Sequence, residues 1–151
     1  MLTAHRESFA ERLSELKVLL PLHYQELALN KDKVPLDPQY DIYVAREKMG
    51  ELMFITLRDA GVLVGYFIGF VAPGLHYKTC LTLTMDILFV HPEKRKAGGG
   101  VVLFDFVKSE AVRRGVQRWF VGTKVHADIS PFLEKQGFDL CEKTYTMWLG
   151  G

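Results

Sequence analysis

Apolar residues recur over the first thirty positions at the spacing of an amphipathic helix, namely at Leu13, Leu16, Leu20 and Leu27. This spacing predicts a helix over 9–29, and Pro21 predicts a break or kink within it because proline removes a helical hydrogen bond. A weaker pattern predicts a short strand over 3–8. After a loop that contains proline and aspartate, a second short helix is predicted over 38–49.

The middle of the chain changes to the β-rich pattern of strands. The runs 51–58 and 62–71 flank a short turn that ends at Gly61, which predicts a β-hairpin. A third strand is predicted over 79–90. The remaining elements are predicted as a helix over 99–114, a strand over 116–125, a helix over 130–136 and a last strand over 140–149. This order predicts an α/β fold in which a mixed sheet is flanked by helices.

Length, charge and cysteine content narrow the class of protein. The 151 residues show no internal repeat, which predicts one domain over 1–151. A formal charge of +1 argues against a nucleic-acid partner, and the absence of a long apolar run argues against a membrane segment. Cys80 and Cys141 lie in apolar runs and are interpreted as reduced core residues. We expect a soluble, cytoplasmic protein.

A glycine-rich turn joins the apolar strand that ends at Val90 to the helix that begins near Gly99. Free amides and the helix dipole at such a junction favour an anion, although a tight structural turn is the alternative. A P-loop would need Lys-Ser or Lys-Thr after its last glycine, whereas Gly100 is followed by Val101. A Rossmann turn would need a third glycine where Leu103 stands.

The pattern Arg95-x-x-Gly98-x-Gly100, after a strand ending Leu-Phe-Val-x-Pro, resembles the pyrophosphate motif of the GNAT superfamily of acetyl-coenzyme A-dependent N-acetyltransferases. The order of the elements over 50–149 is similar to that family as well. The resemblance implies a mostly antiparallel sheet with splayed parallel strands, and acetyl-CoA as co-substrate without a metal. A narrower likeness to a subgroup from bacteriophage genomes would place the protein in a host cytoplasm.

The resemblance implies that the strand before the loop pairs with the pantetheine arm, while the loop amides hold the pyrophosphate. The coenzyme-binding residues implied in this way are Leu88, Phe89, Val90, Arg95, Lys96, Ala97, Gly98, Gly99, Gly100 and Val101. An amide near Leu88 would polarise the thioester carbonyl. The opposite wall would come from the strand end at 123–128 and from Phe132 and Leu133.

An alkylammonium acceptor must lose a proton before it can attack a thioester. Asp86 is the first candidate base, because an acid within an apolar strand should have a raised pKa; a structural pairing is the alternative. His126 is the second candidate, since imidazole titrates near neutral pH. Asp128 could orient His126, bind a cationic acceptor or cap the helix near Ser130.

The family often has a tyrosine in the last helix that protonates the leaving thiolate, and Leu133 stands at that position here. The task would then pass to Tyr145, to Tyr77 or to water. His76 and Tyr77 could line the acceptor pocket or be ordinary loop residues. His23, Tyr24 and Glu26 fall in the first helix, where acceptor sites of the family often form and where packing is the alternative.

The sequence therefore predicts an N-acetyltransferase that acts by direct attack of a primary amine in a ternary complex. The acceptor would be a small molecule, or a lysine or N-terminus of a protein. The alternatives are an acetyl-CoA-binding regulatory module with little turnover and an enzyme that modifies a host protein. A homodimer is compatible with each of these hypotheses.

Overall fold

The computed structural model describes all 151 residues and contains five strands and five helices. In chain order they are β1 Leu2–Arg6, α1 Phe9–Leu27, α2 Tyr40–Lys48, β2 Leu52–Asp59, β3 Val62–Pro73, β4 Leu81–Val90, α3 Pro92–Arg95, α4 Gly99–Arg113, β5 Arg118–Phe120 and α5 Ser130–Lys135. None of the helices combines the length and the apolar character that crossing a membrane requires.

The five strands form one sheet in the order β1-β2-β3-β4-β5. Neighbouring strands are antiparallel except β4 and β5, which run parallel and are connected through α3 and α4. The predicted mixed, mostly antiparallel sheet is confirmed, and so is the hairpin of β2 and β3. The parallel pair is short, because β5 separates from β4 after three paired positions.

Helices cover the sheet on both sides. On one side α4 packs on the sheet through side chains such as Leu103 and Val107, which are both fully buried. On the other side α1 packs through Phe9 and Leu16, and α2 closes the layer beside it. The strong apolar content of β2 and β3 follows from this arrangement, because both faces of these strands are covered.

Three predictions about local structure are wrong. Helix α1 continues through Pro21 without the predicted break, because this residue faces solvent and the buried Leu16, Leu19 and Leu20 just before it hold the helix against the sheet. Strand β5 has only three residues instead of the predicted ten. No strand forms over 140–149, where side chains such as Leu140 and Tyr145 are exposed and the backbone has no partner strand.

The interpretation of the cysteines as core residues is also wrong. Cys80 is half-buried at the start of β4, and Cys141 is exposed in the C-terminal segment. Both thiols are free, as the sequence predicts. The apolar run around Cys141 finds no neighbouring strand to cover it, which explains the exposure.

Candidate functional site

A cleft opens where β4 and β5 separate. The two strands pair at three positions only, and the last pair is Thr84 with Phe120. Beyond it, the edge of β4 from Met85 to Val90 has no neighbouring strand. The cleft has a volume of about 1160 Å³ and is bounded by α1, α2, the edge of β4, the start of α4 and the loop before α5. Most of its lining side chains are apolar.

Asp86 lies at an irregularity of β4 beside the cleft. Ile68 of β3 pairs with Ile87, whereas Gly69 pairs with Met85, so Asp86 is an extra residue without a partner in β3. Such a bulge breaks the strict alternation of faces and redirects a side chain. As a result Asp86 and Ile87 both point to the side of the sheet that α1 and α2 cover.

The carboxyl group of Asp86 is half-buried and has one hydrogen-bond donor. The hydroxyl of Tyr43 in α2 donates to its Oδ2 atom, while Oδ1 accepts no hydrogen bond from the protein. Burial raises the pKa of Asp86, and the bond from Tyr43 offsets part of that increase. The residue lines the cleft, so Oδ1 is available to a bound molecule.

The ring of Tyr43 is held firmly between two other aromatic rings. It stacks on Phe9 at a centroid distance of 5.1 Å and on Phe70 at 5.9 Å. Burial and the neighbouring Asp86 carboxylate raise the pKa of Tyr43, so its hydroxyl keeps its proton and acts as a donor. No local pattern indicates this role, because α2 has little amphipathic pattern and Asp86 is 43 positions away.

The start of α4 presents free backbone amides at the other end of the cleft. The N–H groups of Gly100 and Val101 have no acceptor within the protein, whereas Val102 already bonds back to Gly98. Gly98 caps the helix with a φ of 87°, a left-handed conformation that glycine adopts without strain. Free amides at a helix start, together with the helix dipole, favour an anionic group.

Close packing fixes the position of this helix start. A Cβ atom on Gly99 would lie 2.8 Å from the Lys94 carbonyl oxygen and 2.9 Å from Val90, so no side chain fits there. A Cβ on Gly100 would lie 3.2 Å from the ring of Phe132, which belongs to α5 and lines the cleft. The helix start is therefore wedged between β4 and α5, with its free amides at the cleft.

Arg95 is already engaged with protein groups. Its Nε donates to the carbonyl of Val90 at 2.8 Å, and its guanidinium forms an ion pair with Glu26 of α1. Lys94 is paired with Asp59 at 2.7 Å. These contacts tie the loop to β4 and α1, so the backbone amides, more than the basic side chains, are the free donors at this end.

His23 of α1 lines the cleft between the two ends. Its Nδ1 lies 2.6 Å from the hydroxyl of Tyr66, and its ring stacks on Phe89 at 5.1 Å. The hydroxyl of Tyr66 has no other partner and the residue is fully buried, so its hydrogen must go to Nδ1, because an unsatisfied buried donor costs about 1–3 kcal/mol. The neutral ring of His23 therefore carries its hydrogen on Nε2.

Burial lowers the pKa of His23 to about 4, and the positive charges of Arg95 and Lys124 add to the effect. Because histidine in an unfolded chain titrates near 6.5, the unfolded state binds more protons between these values and the free energy of unfolding falls on acidification. Between pH 7 and pH 4.5 His23 should lower the free energy of unfolding of the wild-type protein by about 2 kcal/mol. His23→Gln should not show this contribution. Urea unfolding at the two pH values measures it.

His126→Gln is the matched control, because His126 is exposed in the loop before α5. This variant should keep the wild-type dependence of unfolding free energy on pH. Equal dependence in wild-type protein and in His23→Gln would show that His23 is protonated as readily in the folded state as in the unfolded chain.

The structure brings most of the predicted coenzyme-binding residues to the cleft. Those that line it are Leu88, Phe89, Val90, Arg95, Gly98, Gly100 and Val101. Lys96, Ala97 and Gly99 belong to the same turn but do not line the cleft. Phe132 forms part of the opposite wall as predicted, whereas Leu133 is buried and does not line the cleft.

The other predicted site residues are more dispersed. Asp128 lines the cleft, but its Oδ1 accepts hydrogen bonds from the backbone and side chain of Ser130, which is the capping alternative. His126 is exposed beside the cleft and does not line it. His76 and Tyr77 lie in the exposed turn between β3 and β4, and Tyr145 is 87% exposed. No group of three or more metal-ligating side chains occurs.

Comparisons with known proteins establish the fold. No protein-family model and no curated protein sequence matches the chain. Among solved structures, the ribosomal-protein-alanine N-acetyltransferase from Brucella melitensis biovar Abortus 2308 superposes with a TM-score of 0.77 at 18% identity, covering 100% of this chain and 99% of the other. An aminoglycoside acetyltransferase from an uncultured soil metagenomic sample gives 0.76 at 15% identity, with 99% of each chain covered.

A predicted acetyltransferase from Clostridium acetobutylicum, solved with acetyl-CoA, gives a TM-score of 0.70 at 12% identity over 99% of this chain and 97% of the other. The chain therefore has the mixed α/β fold of these acetyltransferases. At such identities the likeness establishes the fold, and function has to be argued from the site itself.

Proposed function

We propose that the protein is an N-acetyltransferase that moves the acetyl group of acetyl-CoA to a primary amine by direct attack in a ternary complex. One observation carries this proposal: a single cleft contains free helix-start amides, an unpaired strand edge and a half-buried carboxyl group with one free oxygen. The amides suit a pyrophosphate, the strand edge suits the pantetheine arm that carries the thioester, and the carboxyl group suits the amine.

The two ends of the cleft suit the two ends of the coenzyme arm. The free amides of Gly100 and Val101 match a pyrophosphate. The edge of β4 from Met85 to Val90 can pair with the amide groups of the pantetheine arm as an added strand would. An amide near Leu88 would then stabilise the negative charge that develops on the thioester oxygen.

Asp86 is the proposed proton acceptor. An alkylamine with a pKa of ~10.4 is protonated at neutral pH and cannot attack until it loses a proton. The burial that raises the pKa of Asp86 makes its carboxylate a better base, and its free Oδ1 faces the cleft. Tyr145 and Tyr77 are exposed outside the cleft, which favours water as the proton source for the leaving thiolate.

The lining of the cleft favours a small amine as acceptor. Of its four carboxylates, Glu26 is paired with Arg95 and Asp128 bonds to the start of α5. Asp86 is the proposed base, which leaves Asp37 as the one acidic group free to bind a basic polypeptide. Apolar and aromatic side chains form most of the remaining wall. Similar structures named for aminoglycosides and glucosamine-6-phosphate as acceptors also support an amine substrate.

A regulatory module with little turnover is the second hypothesis, favoured by the buried Leu133 at the position where the resemblance implies a tyrosine. Modification of a host protein, which the phage-like subgroup would imply, stays a prediction. So do the cytoplasmic location and the homodimer.

Two measurements test the proposal. Calorimetry measures the binding of acetyl-CoA, and a thiol-release assay measures turnover with a panel of small amines, polyamines, aminoglycosides and lysine peptides. We expect binding of acetyl-CoA and thiol release with at least one small amine. Binding without release for any amine would support the regulatory module instead. Absence of binding would overturn both hypotheses.

A further inference from the structure

We propose that Tyr43 is a positioning residue that fixes the carboxyl group of Asp86 so that its Oδ1 atom is the one that accepts the proton. The proposal rests on the proposed function and deepens it. It starts from the only polar contact of the Asp86 side chain, the hydrogen bond from the Tyr43 hydroxyl to Oδ2.

The first argument is the rigidity of Tyr43. Its ring is stacked between Phe9 of α1 and Phe70 of β3, with interplanar angles of 22° and 25°. Two nearly parallel neighbours on opposite elements leave the ring little freedom to turn away. The hydroxyl at its tip therefore occupies a fixed point beside β4, which is what a positioning group requires.

The second argument is the freedom that Asp86 would otherwise have. As the extra residue of the bulge it has no partner in β3, and it forms no ion pair. Without Tyr43 the side chain could occupy other staggered positions about χ1, and the carboxyl group could turn about χ2. The bond to Oδ2 selects one of them and leaves Oδ1 at the cleft.

The step assigned to this geometry is balanced. The ammonium nitrogen first gives one proton to Oδ1. The freed amine forms a bond to the acetyl carbon, and the carbon–sulfur bond breaks. The nitrogen then loses its second proton to water, and water protonates the leaving thiolate. Tyr43 keeps its own proton throughout and contributes by orientation and by its hydrogen bond to the other oxygen.

The charge state of Asp86 provides a readout. Tyr43 is the only titratable group whose interaction shifts the pKa of Asp86, and it lowers that pKa because its bond favours the carboxylate. The other titratable groups on this side are engaged elsewhere: His23 of α1 bonds Tyr66 of β3, and Arg46 of α2 pairs with Glu51. Loss of the Tyr43 hydroxyl should therefore raise the pKa of Asp86.

The test is Tyr43→Phe, which keeps both ring stacks and removes only the hydroxyl. We expect the acid limb of the pH profile of kcat/KM, measured as thiol release, to move up by about one pH unit. At pH values below the limb the rate should fall about ten-fold, with partial recovery at high pH. Tyr40→Phe is the control, because the Tyr40 hydroxyl bonds no protein group, and its acid limb should stay in place.

A carbon-13 NMR titration of aspartate-labelled protein measures the pKa of Asp86 directly, with Asp86→Asn for assignment. We expect this pKa to rise in Tyr43→Phe and to stay unchanged in Tyr40→Phe. An unchanged pKa, or a rate that falls equally at every pH, would overturn the inference. Absence of thiol release from the wild-type protein would overturn the proposed function, and the titration would still decide whether Tyr43 holds the carboxylate.

Discussion

Asp86→Asn is expected to lower the rate of acetyl transfer by about 10²–10⁴-fold, the range that removal of a general base produces. The side chain of asparagine has the same shape, and its carbonyl oxygen can still accept the hydrogen bond from Tyr43. It cannot take a proton at neutral pH. The measurement is the rate of thiol release at saturating acetyl-CoA and amine, with coenzyme affinity followed in parallel by calorimetry.

The affinity for acetyl-CoA should change little in Asp86→Asn, because the carboxyl group lies away from the free amides at the start of α4. Asp105→Asn is the matched control: it makes the same change of charge on the exposed face of α4, outside the cleft, and should keep the wild-type rate. A wild-type rate in Asp86→Asn would remove Asp86 from the mechanism and direct attention to His126.

Gly100→Val is expected to weaken the binding of acetyl-CoA by roughly 10²–10⁴-fold. Side chains on a helix lean toward its N-terminus, so the valine would cover the free amides of the preceding turn. Its Cβ would also press on the ring of Phe132, which lies 3.2 Å away. Loss of two charge-assisted hydrogen bonds of about 1.5–3 kcal/mol each gives the stated range. Calorimetry with acetyl-CoA measures it.

Gly74→Val is the control for the added side chain. Gly74 lies in the turn between β3 and β4, outside the cleft, and a Cβ there would meet Tyr77 at an ordinary distance of 3.5 Å. The Gly74→Val variant should bind acetyl-CoA with the affinity of the wild-type protein. Gly100→Ala should give an intermediate affinity, and circular dichroism checks that each variant is folded. Undiminished affinity in a folded Gly100→Val would refute the assignment of these amides to the pyrophosphate.

The glycine-rich turn shows how far local sequence can lead. Its glycines predicted a strand-to-helix junction with free amides, and the structure has those amides at Gly100 and Val101. The basic side chains were harder to interpret, because their partners are distant in sequence. Arg95 pairs with Glu26 and Lys94 pairs with Asp59, and no local pattern around positions 94–96 predicts either contact.

The C-terminal segment shows the opposite limit. Its β-rich composition predicted a strand over 140–149, but a strand exists only where a neighbouring strand completes its hydrogen bonds. Strand β5 is similarly shorter than its apolar run, since it pairs with β4 at three positions only. In both cases the local pattern was present and the partner that would realise it was not.

The sequence by itself determined the order of helices and strands in most of the chain, the position of the glycine-rich turn and the presence of an acid within an apolar strand. These features depend on residues that are neighbours along the chain. Only the tertiary structure decided that Asp86 sits at a bulge, that Tyr43 fixes one of its oxygens and that His23 is neutral beside Tyr66. Those facts depend on contacts between different elements, with the two side-chain contacts joining residues 43 positions apart, and packing creates them.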